Sequence, residues 1–216
     1  MQYTRTTAAA IGIALVAIAT VQTGTGTAAT EAAEAVETVE APAAPQYPWH
    51  ADYPASTEIA GATVYAETAG QVADAEWALG RFAAAGLDLP DVELWLAGIE
   101  SAIPQGNGFV YGFHREVAGR SVVFNSGSRF VLLHELGHVW DDHALTDADR
   151  GEFLEIRDAD AWHGEGWAGS GAEHLANVIA WGLSEEEIRP SRTLPNDDAS
   201  LQEAFILATG SEPIEN

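Results

Sequence analysis

At residues 129–140 the chain reads RFVLLHELGHVW, a nearly unbroken apolar run of a length that suits a buried helix. Within this run His134 and His138 are four residues apart, so their imidazoles project from one helix face about 6 Å apart along the axis and can reach one ion. Glu135 lies about 60° round the helix from His138. This acid can therefore meet a water on the ion without being a ligand itself.

The pattern HExxH would arise by chance with a probability of about 2% in a chain of this composition. An alternative is that its three polar residues lie on the solvated face of an ordinary amphipathic helix. The flanking residues oppose that interpretation, because a solvated face is not normally apolar on both sides. Two imidazoles and a carboxylate buried in such a helix would be costly without a partner.

Composition excludes several classes of protein. Thirty-three Asp and Glu stand against nine basic residues, and the formal net charge is -24. Binding of nucleic acid or of anionic lipid needs clustered cations, so neither is expected. With no Cys, any metal must be held by nitrogen and oxygen ligands.

A zinc ion bound by two His needs a third protein ligand and an open position for water. His143 does not continue the pattern HExxHxxGxxH, because Asp141 and Ala144 stand where Gly and His are required. Asp142 lies on the same helix as the two His, and a third ligand from that helix would crowd the ion. Together with Asp141 it either accepts a hydrogen bond from a ligand or is a surface charge. The remaining candidates lie further downstream, and they are His163, Glu165 and Glu173.

These residues resemble the gluzincin branch of the zincin metallopeptidases. In that family a second helix donates a Glu to the ion, and here HELGH is followed by GAEHLANVIAWG, whose Glu lies 35 residues after the second His. The resemblance, which spans residues 121–183, implies a Zn²⁺ cofactor with Glu173 as third ligand and Glu135 as general base. Asn177 stands where thermolysin-like members have an Asp that orients a ligand His; it can still accept a hydrogen bond. A competing role for Glu173 is as the last residue of a capping box that begins at Ser170.

Hydrolysis of a peptide bond follows from this resemblance. The ion would acidify water and polarise the scissile carbonyl, while Glu135 takes the proton and passes it to the leaving amine. A tetrahedral oxyanion usually receives a second donor besides the metal. The chain has no His or Tyr beyond His174, so the candidate donors are His163, His143 and Tyr111.

The hydrophobic periods predict an α+β fold: a small mixed sheet packed on the HExxH helix and followed by a helical C-terminal half. Strands are expected at residues 63–66, 92–96, 109–113 and 121–124, the last two joined by a hairpin at Ala118 and Gly119. Helices are expected at residues 67–85 and 199–209, and further helices begin at Thr146, Ser170 and Ser184, where capping boxes match. A substrate would lie along residues 121–125, the expected edge strand.

The N-terminal part indicates export. Residues 1–29 form a signal peptide with an apolar stretch too short to span a bilayer, where about 20 residues are needed. An uncleaved anchor is the alternative. Residues 30–48 form an acidic spacer rich in Ala and Pro, and residues 49–216 form the zincin-like domain.

The sequence therefore predicts a secreted or cell-envelope zinc metallopeptidase that acts on peptides or proteins, with no nucleic-acid partner and no stable membrane span. The negative field favours cationic substrates. One alternative is an exported zinc-binding interaction domain of the same fold without peptidase activity. Another is an acidic calcium-binding adhesion module, which the absence of an EF-hand loop opposes.

Overall fold

The computed structural model describes residues 56–105, 108–117, 119–185, 190, 193 and 195–214 of the chain. The strands are β1 Thr57–Ile59, β2 Ala62–Ala66, β3 Val92–Leu96, β4 Ile103–Gln105, β5 Gly108–Val110, β6 Gly112–Val117 and β7 Arg120–Asn125. The helices are α1 Ala69–Ala84, α2 Arg129–Ala144, α3 Asp147–Arg157, α4 Gly166–Gly169, α5 Gly171–Leu183 and α6 Asp198–Thr209.

Five strands form one mixed sheet in the order β1, β2, β3, β7, β6. The central pairs β2–β3 and β3–β7 are parallel, whereas β1 pairs with β2 and β6 with β7 in antiparallel fashion. Val64, Leu94 and Val123 are opposite one another across the central strands and are almost completely buried. The α+β class and the small mixed sheet are thus confirmed.

Local sequence explains where the first helix begins and what it buries. Thr68 and Gln71 form a capping box at the N-terminus of α1, which satisfies backbone N–H groups that the helix leaves free. Ala75, Leu79 and Phe82 then recur on one face, and that face joins the main core.

The helix pair α2 and α5 forms the centre of the helical half. Leu132, Leu133 and Leu136 of α2 are fully buried, as is Ile179 of α5. Gly137 allows the two backbones to approach closely, since a Cβ at this position would lie 3.1 Å from Cα of Ala176. This contact sets the distance between the two helices that carry the predicted metal ligands.

Two expectations about the strands are wrong. Residues 121–125 are not an edge: β7 is paired with β3 on one side and β6 on the other, so β6 is the edge strand on this side of the sheet. Residues 109–113 do not form one strand but are divided between β5 and β6, which belong to different sheets. The hairpin turn is where it was predicted, and Gly119 adopts a φ of +77° there, which glycine tolerates without strain.

Two of the predicted helix boundaries are confirmed, and one predicted capping box is absent. The capping box of Thr146 and Asp149 is present, and α6 ends at Gly210 as expected. The capping box at Ser170 is absent, because its hydroxyl donates to the carbonyl of Trp162 instead. The helix predicted to begin at Ser184 falls largely on residues 186–189, outside the described residues.

Residues 1–29 and 30–48 also lie outside the described residues. In the part of the chain that the structure describes, none of the helices has both the length and the apolar character that a membrane crossing requires.

Candidate metal centre

Helices α2 and α5 bring three predicted ligands together. Nε2 of His134 lies 3.3 Å from Oε2 of Glu173, and Nε2 of His138 lies 3.8 Å from Oε1 of the same carboxylate. One ligand atom from each residue falls within 4.8 Å of the others. Two imidazoles and one carboxylate therefore converge closely enough to hold a metal ion.

The orientation of His134 fits this role. Its Nδ1 lies 3.2 Å from the amide oxygen of Asn177. Because that oxygen can only accept, the ring carries its proton on Nδ1, and the lone pair of Nε2 faces Glu173. A hydrogen bond from the distal ring nitrogen is how proteins orient a metal-binding His and fix its tautomer.

The distance between His134 and Glu173 also fits a cation. Oε2 of Glu173 is buried and has no hydrogen-bond partner. Two facing lone-pair atoms at 3.3 Å repel each other unless a positive charge, either a proton or a metal ion, lies between them. Ligand distances of about 2.0–2.2 Å in a tetrahedral zinc site would separate adjacent ligand atoms by about 3.3–3.5 Å.

Burial keeps the ligands in their metal-binding forms. Desolvation, reinforced by the neighbouring His134, lowers the pKa of His138 to about 3. Burial alone would raise the pKa of Glu173, but in the metal-free protein a hydrogen bond from a protonated His134 and the charges of the protonated imidazoles lower it below its ordinary value. At neutral pH the centre therefore offers a neutral His138 and an ionised Glu173, and little proton competition opposes a metal ion.

Glu135 lies beside the ligands in a different environment. Only 7% of the residue is exposed, and burial raises the pKa of its carboxyl group from 4.5 to about 7, with His134 acting in the opposite direction. The backbone N–H of His114, on β6, donates to this carboxylate. A buried carboxyl group that titrates near neutral pH is suited to take up and release a proton.

This environment predicts a pH-dependent effect of Glu135→Gln on the metal-free protein. Because the pKa of Glu135 is higher in the folded state, ionisation weakens folding as the pH rises from 4.5 to about 7. Above pH 7 we expect the variant to be more stable than wild type by about 3 kcal/mol, with little difference below pH 4.5. Urea unfolding between pH 4 and 8 measures the difference. Parallel stability curves would contradict the expected burial of an ionised carboxylate.

The ligands lie at a cavity of about 530 Å³ between α2, α5 and the edge strand β6. Its lining is rich in imidazoles and acids, with a few apolar residues: Val110, Gly112, Phe113, His114, His134, Glu135, His138, Asp141, Asp142, His163, Gly164, Trp167, Ser170, Ala172 and Glu173. The ring of Trp167 lies 5.4 Å from that of His134, so this part of the Gly-rich loop borders the cavity. Trp162 instead packs against Phe153.

The three candidate oxyanion donors are in different places. His163 lines the cavity. His143 is exposed near the end of α2, and Tyr111 is 40% exposed; neither is among the residues that line the cavity. Of the three, His163 is therefore in a position to contact a substrate.

The two acids that follow the HExxH motif also differ. Asp141 is buried and accepts hydrogen bonds from Nε of Arg150 at 2.9 Å and from Nε1 of Trp162 at 3.1 Å. These bonds tie α2 to α3 and to the loop before α4. Asp142 is largely exposed and lies 3.7 Å from Nδ1 of His114.

His114 is a cavity residue that sequence reasoning missed. Its side chain is only 9% exposed, and Nε2 is buried without a hydrogen-bond partner. Burial lowers the pKa of this imidazole, although Asp142 and Glu116 oppose the effect. The hairpin was the signal in the sequence that could have identified His114. When the two strands are paired outward from the turn, His114 lies opposite Val123, and Val123 belongs to the strand that precedes α2.

No protein-family model, curated protein or solved structure matches the chain. A proposal about its function therefore depends on the contacts of His134, Glu135, His138 and Glu173.

Proposed function

We propose that the protein is an exported zinc-dependent metallopeptidase with a zincin-like active site. The observation that carries this proposal is the convergence of His134, His138 and Glu173 at a cavity where Glu135 lies beside them without belonging to the ligand set. Two His and one carboxylate form a donor set found in catalytic zinc sites, which keep a further position open.

Catalysis explains this arrangement better than a structural metal site does. Structural zinc sites are closed by four protein ligands, whereas among the residues that the structure describes this group has three, and it borders a cavity of about 530 Å³. A structural site also has no need of Glu135, whose burial weakens folding above neutral pH. A hydrolase, in contrast, requires a general base beside its metal centre, even when that base destabilises the fold.

Each residue then has a defined part in the reaction. When bound, zinc would supply Lewis acidity towards the scissile carbonyl and towards water. Glu135 takes the proton of the attacking water and delivers it to the leaving amine. His114 and His163 are the two cavity imidazoles outside the ligand set, and they are the candidates for stabilising the oxyanion.

The edge strand β6 provides the surface for an extended substrate. The N–H of His114 is directed at Glu135 and therefore away from β7. Because backbone groups alternate in direction along an antiparallel strand, those of Gly112 and Glu116 point the same way. A peptide that pairs with this edge would pass directly over Glu135. The formal net charge of -24 favours cationic peptides.

The proposal is tested by zinc-dependent cleavage. The purified full chain, loaded with zinc, is incubated with a broad peptide library, and the products are identified by mass spectrometry. We expect cleavage that is lost on chelation and restored by stoichiometric zinc. Stoichiometric zinc without cleavage of any peptide would instead support a zinc-binding interaction domain, and failure to bind zinc would reject the metal centre.

A further inference from the structure

We propose that Gly112 is a positioning residue for the general base: its missing side chain lets β6 hold the carboxylate of Glu135 beside the metal ligands. This inference rests on the proposed function. Gly112 begins the edge strand, and it lies opposite Asn125 in the hairpin.

The space at Gly112 is already occupied by Glu135. A Cβ at this position would lie 2.8 Å from both Cγ and Oε1 of Glu135, and 2.7 Å from Cγ1 of Val131. Real Cβ atoms almost never show such distances, so a neighbour has to move. Gly112 does not have a left-handed φ, so lack of space and not backbone strain requires glycine here.

Glu135 is the neighbour that can move. Val131 and Glu135 are both on α2, whose backbone is fixed by its packing on α5. The side chain of Glu135 has three rotatable bonds, and its carboxylate can leave the strand by rotation. An added methyl group at residue 112 is therefore expected to displace the carboxylate.

The same strand also supplies the donor that orients the acid. The N–H of His114 donates to the carboxylate of Glu135 two residues beyond Gly112. Strand β6 thus acts on the acid at two points, through the space that Gly112 leaves for it and through the hydrogen bond from His114. If an added methyl group at residue 112 displaced the carboxylate, the hydrogen bond from the N–H of His114 would lengthen.

Gly127 offers a matched control. A Cβ there would lie 3.0 Å from Cγ2 and 3.1 Å from Cβ of Val131, and 3.2 Å from Cβ of Tyr111, and Glu135 is not among its nearest contacts. Gly127→Ala therefore disturbs Val131, the second neighbour of Gly112, without touching the general base.

The first experiment compares the two variants in the zinc-loaded full chain. We expect Gly112→Ala to lower kcat by about 100-fold or more, at the lower end of what a general base contributes, with KM and zinc affinity within a few-fold of wild type. Gly127→Ala should keep kcat within a few-fold. Gly112→Ala with wild-type kcat, in an enzyme that Glu135→Gln inactivates, would overturn the inference but leave the proposed function intact.

A second experiment has a readout other than activity. The loss of Tm caused by Gly112→Ala in the metal-free protein is measured with Glu135 present and in a Glu135→Ala background, where Cγ and Oε1 are gone. We expect the loss to shrink by at least half in that background, and the loss caused by Gly127→Ala to stay the same. Equal losses in both backgrounds would show that residue 112 does not press on Glu135.

Should Gly112→Ala alone fold poorly, the double variant Gly112→Ala/Val131→Ala removes the 2.7 Å contact and keeps the contact with Glu135. We expect this protein to bind zinc and to remain slow. Recovery of wild-type kcat would assign the effect to Val131 and reject the role of Gly112. If wild type itself cleaves no peptide, the proposed function fails, while the Tm comparison still tests the contact.

Discussion

Glu135→Gln is expected to lower peptide cleavage by about 10²- to 10⁴-fold while zinc binding is retained. The amide has the shape of the acid but cannot accept a proton from water, so the proton transfer is lost. His134, His138 and Glu173 are untouched, and the ion should bind with close to wild-type affinity. Initial rates on a cleaved peptide and zinc stoichiometry from metal analysis measure the two effects.

A control for this variant is Glu152→Gln, which removes an exposed acid of α3 that does not line the cavity. It changes the net charge by the same amount and should leave the rate unchanged. The hydrolase mechanism would be rejected if Glu135→Gln cleaved peptides as fast as wild type. Loss of zinc from this variant would show instead that Glu135 helps to hold the ion.

Glu173→Gln is expected to weaken zinc binding by more than about 100-fold, since it removes a ligand of the ion and not only a second-shell partner. Asn177→Ala should have a smaller effect of about 10- to 100-fold, because it frees the ring of His134 but leaves all three ligands in place. Competition with a chromogenic chelator measures both affinities. The expected order is wild type, then Asn177→Ala, then Glu173→Gln.

Glu173→Gln also separates the two competing roles of Glu173, as a metal ligand and as a helix cap. Ser170 is the N-cap residue before α5, yet its side chain makes no capping bond to the helix, so Glu173 is free to face the cavity. Glu173→Gln should therefore leave the helix content by circular dichroism unchanged. A variant with wild-type zinc affinity and lowered helix content would support the capping role instead.

The HExxH helix and the Glu helix could be predicted because each is a local pattern. Apolar spacing and the motif located α2, and the run that follows Ser170 located α5. The apolar face of α5 also predicted that it packs against α2, but the closeness of the two helices depends on Gly137 meeting Ala176, two residues 39 positions apart in the chain, and neither pattern encodes it. Even so, the ligand set predicted from the resemblance is the one that the helices bring together.

The strand order was harder to predict. Alternating apolar residues identify a strand but not its neighbours, and β7 is buried between two strands that are remote from each other in sequence. Because the edge was predicted at residues 121–125, β6 was not expected to border the site. His114 and Gly112 were therefore not predicted, although the N–H of His114 donates to Glu135 and the side chain of Glu135 fills the space beside Gly112.

Gly137, the fourth residue of HELGH, has a consequence for how this protein can change over time. Because Gly137 sets the separation of two packed helices, a bulkier residue in their shared interface would push Glu173 away from both imidazoles, even at a position far from the cavity. The proposed affinity for zinc therefore depends on the packing between the two helices as much as on the ligands themselves. A bulkier residue at Ala176 or a change at Ile179 would therefore have to be offset by a second change before the proposed zinc ion could be held as tightly again.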